Sequence, residues 1–126
     1  EILKSDNDGF FLMIEGSQID WGGQANNDSY TISETLDFDK AVGAVLECAE
    51  KDGNTLVIIT ADHETGGVTV MDGDFSEKSV NVRINTLKHT GVMVPIFSFG
   101  PGSENFTGVM QNTDIPKKIR ELSGLK

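Results

Sequence analysis

Three continuous apolar runs of strand length constrain the fold of this chain more than any other feature. The runs are GFFLMIEG (Gly9–Gly16), TLVIIT (Thr55–Thr60) and VPIFSF (Val94–Phe99). An unbroken apolar run is typical of a strand covered on both faces, and such strands occur mainly in parallel sheets between layers of helices. We therefore expect an α/β fold with a mainly parallel sheet flanked by helices.

The segments after the first run predict a loop and then a helix. Residues 17–27 contain two glycines and three asparagines or aspartates that suit turns, so we expect a loop there. The capping pattern that starts at Thr31 predicts the beginning of a helix, and Asp37 is an alternative start. Apolar residues then recur at helical spacing, and Gly53 is placed to end the helix.

The second half of the chain predicts a hairpin arm and a last helix. The stretch GVTVMDGD indicates a strand that turns at Asp72-Gly73. Thr113 precedes a helical pattern with proline in its first turn, and we expect this helix to run to about Leu122 before Gly124 stops it.

Charge and composition exclude several partner classes. Twenty acidic residues against ten basic ones give a net charge of −10, which argues against nucleic acid or an anionic membrane surface as a partner. No apolar run has the ~18–20 residues that cross a bilayer.

The lone Cys48 lies in the helical pattern and is expected to be a small buried residue. Because the sequence starts at Glu1 rather than methionine, we expect residues 1–126 to be part of a longer chain.

Titratable side chains stand where the predicted strands end or begin. Glu15 ends the first run and Asp20 follows it, Asp62 and His63 follow the second run, and His89 precedes the third. Ligands of open parallel sheets lie at such strand ends. Carboxylate and imidazole groups are ligands for zinc and, through the carboxylates, for magnesium. A hydrogen-bonded loop corner is the alternative interpretation of an Asp-His pair, and the residues alone leave both open.

Four stretches, in order along the chain, resemble the C-terminal part of alkaline phosphatases. The resemblance implies a three-layer alkaline-phosphatase-like fold, with residues 1–126 as the C-terminal portion of one domain and without the N-terminal part that bears the nucleophile. The stretches are GFFLMIEGSQIDWGGQANN, TLVIITADHETGG, KHTGVMVPIFSFGPGS and TDIPKKIRELSGL.

The resemblance implies a metal-dependent phosphomonoesterase that hydrolyses phosphate monoesters through a phosphoserine intermediate. Two zinc ions and one magnesium ion would serve as cofactors. Glu15 resembles the magnesium ligand, and Asp20 and His89 resemble ligands of the first zinc. Asp62 and His63 resemble ligands of the second zinc. Glu64 and Thr65 match no ligand position and are expected to support the ligands or the loop.

The chain departs from the family pattern in two ways. Gln24 stands where relatives usually have a histidine, and its neutral oxygen suits zinc less well than an imidazole does. Either a weakened first zinc site or a non-catalytic pseudo-phosphatase or metal-binding domain would follow. The nucleophilic serine and the phosphate-binding arginine belong to the N-terminal part of the family, so this fragment alone is expected to have no catalytic residue and no activity.

Three further expectations come from the same resemblance. Another hydrolase of the superfamily, a phosphodiesterase or a sulfatase, is the alternative enzyme, because these share metal ligands and differ elsewhere. The parent protein is expected to be periplasmic or secreted, as most relatives are. A homodimer is possible by the same analogy.

Overall fold

The computed structural model describes residues 8–124, and within them the chain contains both helices and strands, consistent with the expected α/β class. No helix in this range combines the length and the apolar character needed to cross a membrane. The elements are α1 (Ser17–Gln24), α2 (Asp28–Asp52), β1 (Val57–Thr60), β2 (Glu64–Thr65), β3 (Thr69–Asp74), β4 (Ser79–Arg83), β5 (His89–Thr90), β6 (Ile96–Phe99), a 3-10 helix (Ser103–Phe106) and α3 (Asp114–Ser123).

The strands form three antiparallel pairs, β1–β6, β2–β5 and β3–β4. The expectation of a mainly parallel sheet is therefore wrong for residues 8–124. The second and third apolar runs do form strands, but they pair with each other from Val57↔Phe99 to Thr60↔Ile96. An apolar run indicates burial on both faces and carries no information on strand direction.

The first apolar run does not form a strand. Gly9–Gly16 has no regular secondary structure, and its side chains are exposed, up to 80% for Met13 and 69% for Phe11. A strand needs a neighbour to accept and donate its backbone hydrogen bonds, and no other described segment pairs with this one. The apolar pattern thus marks a surface that residues 8–124 leave uncovered.

The predicted loop after this run is helix α1, and its glycines serve close packing rather than turns. A Cβ at Gly22 would lie 2.8 Å from the Thr31 hydroxyl, and one at Gly23 would lie 3.0 Å from the Thr65 methyl group. Both glycines are buried. They let α1 approach α2 on one side and β2 on the other, which brings the end of α1 to the candidate site.

Helix α2 begins earlier than either predicted start. The Asn27 side chain accepts a hydrogen bond from the backbone N–H of Tyr30 at 2.9 Å, so Asn27 is the cap and the predicted Thr31 and Asp37 starts are wrong. The helix ends at Gly53, as predicted, with φ of +72°. Cys48 is exposed rather than buried, because the buried stripe of α2 is narrow.

The hairpin and the last helix complete the described chain. The β3–β4 turn lies at residues 75–78 rather than at Asp72-Gly73, and the Asp74 carboxylate accepts hydrogen bonds from the N–H groups of Ser76 at 2.7 Å and Glu77 at 3.1 Å. Helix α3 and its end at Gly124, with φ of +68°, confirm the prediction.

Candidate metal centre

Three of the predicted metal ligands meet in space although they are far apart in sequence. Asp20, His63 and His89 each offer a ligand atom, and these atoms all lie within 4.8 Å of one another. Asp20 comes from α1, His63 from the turn between β1 and β2, and His89 from β5. The convergence of separate elements on one point is what a shared metal ion requires.

The β2–β5 pair brings the two histidines together. The register places Glu64 opposite Thr90 and Thr65 opposite His89. His63 immediately precedes β2, so its ring stacks on that of His89 with centroids 3.6 Å apart and planes 18° apart. The two imidazoles of the chain therefore face the same small region.

Helix α1 supplies a carboxylate close to the two imidazoles. Asp20 Oδ1 lies 3.5 Å from His89 Nε2 and accepts a hydrogen bond from the Thr65 hydroxyl. The Asp20 side chain is 31% exposed and that of His89 is 50% exposed. The cluster is thus only partly buried by the described residues.

Gln24 lies one turn after Asp20 on the same face of α1, with its amide against the side chains of Asp20 and His89. Its Nε2 donates to Asp20 Oδ2 at 2.7 Å and lies 3.4 Å from His89 Nε2. A carboxylate oxygen and an unprotonated imidazole nitrogen present lone pairs to such a donor, and a metal ion would use the same lone pairs. Gln24 therefore competes with a cation for these two groups in this arrangement.

The other two predicted ligands lie outside the three-residue group. Asp62 is next to it, with Oδ2 3.3 Å from His63 Nε2, but its side chain is 86% exposed. Glu15 is exposed at the end of the uncovered segment Gly9–Gly16. Their roles as ligands stay predictions, as do those of the three residues that converge.

Glu64 supports the turn after β2, as expected for a residue that matches no ligand position. Its carboxylate accepts hydrogen bonds from the N–H groups of Gly67 at 3.1 Å and Val68 at 3.0 Å, and from the Thr90 hydroxyl across the β2–β5 pair. Partial burial raises the pKa of Glu64, but the Thr90 hydroxyl and the two amides outweigh it and hold the pKa below its usual range. The ionised side chain thus ties the turn after β2 to the residue next to His89.

Thr65 contacts residues of the candidate site, as expected for a residue that supports the ligands or the loop. Its hydroxyl contacts Asp20, as described above, and lies 3.2 Å from His63 Nδ1. Residues two apart in an extended segment point to the same side, so Thr65 and His63 share a face.

The donor set fits a zinc ion. Two imidazole nitrogens and one carboxylate oxygen are among the combinations that hold zinc in proteins, with further positions left to water or substrate. In the described range, this is the group of His, Asp, Glu and Cys side chains close enough to share a metal.

Comparison with known proteins assigns the family. The family model for alkaline phosphatase matches residues 1–78, more than half of the chain. The chain belongs to the alkaline phosphatase family. The alkaline phosphatase of Escherichia coli is 36% identical over 142 aligned residues, which cover 100% of this chain and 30% of that enzyme.

Solved alkaline phosphatases share the fold. The enzyme from the Antarctic bacterium TAB5 superposes with a TM-score of 0.88 at 48% identity, over 98% of this chain and 38% of that one. A mutant of the TAB5 enzyme with Mg bound in the M3 site gives a TM-score of 0.89 at 46% identity, with the same coverage. The chain thus spans well under half of the alkaline phosphatases that it matches.

Removal of the Glu64 carboxylate is expected to loosen the candidate site. In Glu64→Ala, two amides and the Thr90 hydroxyl lose their acceptor, so we expect the free energy of unfolding of the full-length protein to fall by about 1–3 kcal/mol. Urea denaturation without metal measures it. Glu77→Ala is the matched control, because Glu77 is an exposed glutamate in the β3–β4 turn, and we expect it to change stability by less than about 0.5 kcal/mol. Equal stabilities of the two variants would contradict this role.

Proposed function

We propose that this chain is the C-terminal part of a metal-dependent phosphomonoesterase that hydrolyses phosphate monoesters through a phosphoserine intermediate, with two zinc ions and one magnesium ion as cofactors. The convergence of Asp20, His63 and His89 within 4.8 Å, in a member of the alkaline phosphatase family, is the observation that carries the proposal. A periplasmic or secreted location and a homodimer belong to the same proposal and rest on the family resemblance alone.

The proposed ligand roles follow the resemblance. Asp20 and His89 would hold the first zinc, Asp62 and His63 the second, and Glu15 the magnesium. When bound, zinc supplies Lewis-acid catalysis and lowers the pKa of a coordinated hydroxyl group or water. The stacking of His63 on His89 supports the proposal, because it keeps the ligands of the two zinc ions adjacent.

The residues of this chain would organise the site rather than attack the phosphate. Asp20 and the two histidines fix the positions of the cations, and Glu64 holds the β2–β5 pair on which His89 lies. The partial exposure of Asp20 and His89 supports access by a phosphate monoester. The nucleophilic serine and the phosphate-binding arginine, by the resemblance, lie in the N-terminal part of the family, so these 126 residues alone would be inactive.

The uncovered apolar segment supports a larger domain. Phe11 and Met13 in Gly9–Gly16 are mostly exposed, and so is Phe97 of β6, which is 61% exposed. Relatives contain far more chain than these 126 residues, with 38% of the TAB5 enzyme covered. We propose that the remainder of the domain covers this apolar surface.

The activity of the full-length protein, with and without the Asp20 carboxylate, tests the proposal. With zinc and magnesium supplied, we expect turnover of p-nitrophenyl phosphate, and we expect Asp20→Asn to lower kcat/KM by about 100-fold or more, because it removes a charged ligand and keeps its shape. Asp72→Asn is the matched control on β3 and should keep wild-type activity. The 126-residue chain alone should give no turnover.

Other substrates and outcomes separate the alternatives. Faster turnover of bis-p-nitrophenyl phosphate would identify a phosphodiesterase, and faster turnover of p-nitrophenyl sulfate a sulfatase. No turnover of any of them with both metals supplied, or an Asp20→Asn variant as active as wild type, would contradict the proposal.

A non-catalytic protein is the second candidate, and Gln24 favours it. Its amide donates to Asp20 and lies close to His89 Nε2, where a histidine of relatives would instead add a ligand. We infer a first zinc site that is weakened by this side chain.

Replacement of Gln24 distinguishes weakening from loss of function. We expect Gln24→His to tighten zinc binding by about 10-fold or more, because imidazole is a better zinc ligand than an amide oxygen. Competition with a chromophoric chelator measures the affinity, and Gln18→His, on the same helix, is the control. Activity that appears only in Gln24→His would identify the natural protein as non-catalytic, whereas unchanged zinc affinity would show that Gln24 does not limit the site.

A further inference from the structure

Thr65 contacts all three segments of the candidate metal centre. Its hydroxyl contacts the carboxylate of Asp20 on α1 and lies 3.2 Å from Nδ1 of His63. Its backbone lies opposite His89 in the β2–β5 register. The side chain is half-buried, so these contacts are partly shielded from water.

The direction of the hydroxyl is set by packing on its other side. A Cβ at Gly23 would lie 3.0 Å from the Thr65 methyl group and 3.0 Å from the Thr65 carbonyl oxygen. Helix α1 therefore approaches as closely as a glycine allows. Because a β-branched side chain has few rotamers, this contact holds the methyl group against α1 and the hydroxyl toward the ligands.

The single hydrogen of the Thr65 hydroxyl then determines which nitrogen of His63 carries a proton. A hydroxyl has one hydrogen to donate, and an ionised carboxylate only accepts, so the Thr65 hydrogen goes to Asp20. Thr65 can then offer His63 only a lone pair. His63 must donate from Nδ1–H, which leaves Nε2 of the neutral ring with the lone pair that a metal needs.

The competing contact of His63 is weaker. Asp62 Oδ2 lies 3.3 Å from His63 Nε2, just beyond the usual range of hydrogen bonds, and the Asp62 side chain is 86% exposed. The 3.2 Å contact with the half-buried Thr65 is shorter and better shielded. The geometry thus favours a proton on Nδ1.

We propose, on the basis of the function proposed above, that Thr65 is a positioning residue that sets the tautomer of His63 and the orientation of Asp20. The chain of hydrogen bonds runs from His63 Nδ1–H to Thr65 and from the Thr65 hydroxyl to Asp20 Oδ1. A single hydroxyl thereby links a proposed ligand of each zinc ion. Groups that orient metal ligands in this way typically change metal affinity by about 10–100-fold when they are removed.

Three variants of the full-length protein test this role. Thr65→Val keeps the branched shape and removes the hydroxyl, Thr65→Ser keeps the hydroxyl, and Thr69→Val on β3 is the matched control. Long-range ¹H–¹⁵N NMR of the metal-free protein reports the tautomer of His63, and competition with a chelator reports zinc affinity.

We expect the Nδ1–H tautomer of His63 in the wild type, in Thr65→Ser and in Thr69→Val. In Thr65→Val this tautomer should no longer dominate, and zinc affinity should fall by about 10–100-fold. Zinc affinity of Thr65→Ser and Thr69→Val should stay within about 3-fold of wild type, since both keep the hydroxyl at position 65.

Either of two results overturns the inference: an Nε2–H tautomer in the wild type, or zinc binding and tautomer in Thr65→Val equal to those of the wild type. If Thr65→Val fails to fold, the wild-type tautomer and the affinity of Thr65→Ser still decide. If the wild-type protein binds no zinc, that result contradicts the proposed function instead. The His63 tautomer measured by NMR then decides by itself whether Thr65 has the inferred role.

Discussion

The two-residue pairing of β2 with β5 is the constraint on which the candidate metal centre depends. It brings the segment after His63 beside His89, although 26 residues separate Glu64 from Thr90 in the chain. Glu64 reinforces the pairing by accepting hydrogen bonds from both sides of it. Without this short ladder the two histidines would lie on independent loops.

The fold was predictable where local sequence determines it and unpredictable where tertiary contacts do. Glycine with positive φ ended α2 at Gly53 and α3 at Gly124, as local chemistry requires. Strand direction, and whether Gly9–Gly16 forms a strand, depend on which segments lie beside it in the folded chain. An apolar pattern alone therefore could not predict either. The glycines of α1 were misread as turn residues because their role, close approach to Thr31 and Thr65, exists only in the folded chain.

The same division holds at the site. Asp62 and His63 after a buried strand pointed to metal chemistry, and the structure brings His63 to Asp20 and His89 while leaving Asp62 at the edge. Glu64 and Thr65 are expected from the sequence to support the ligands or the loop, but the sequence does not identify their partners, which lie on α1 and β5. Residue types that can bind metal are recognisable in a sequence. The side chains that orient such residues are identified only by contacts between segments that lie far apart in the sequence.

Anomalous diffraction at the zinc edge, on crystals of the zinc-loaded full-length protein, tests the central claim most directly. The account predicts zinc within about 2.0–2.2 Å of an imidazole nitrogen of His89 and a carboxylate oxygen of Asp20, with a second zinc on His63 about 4 Å away. Zinc bound only elsewhere, with Asp20, His63 and His89 still hydrogen-bonded through Gln24 and Thr65, would contradict it.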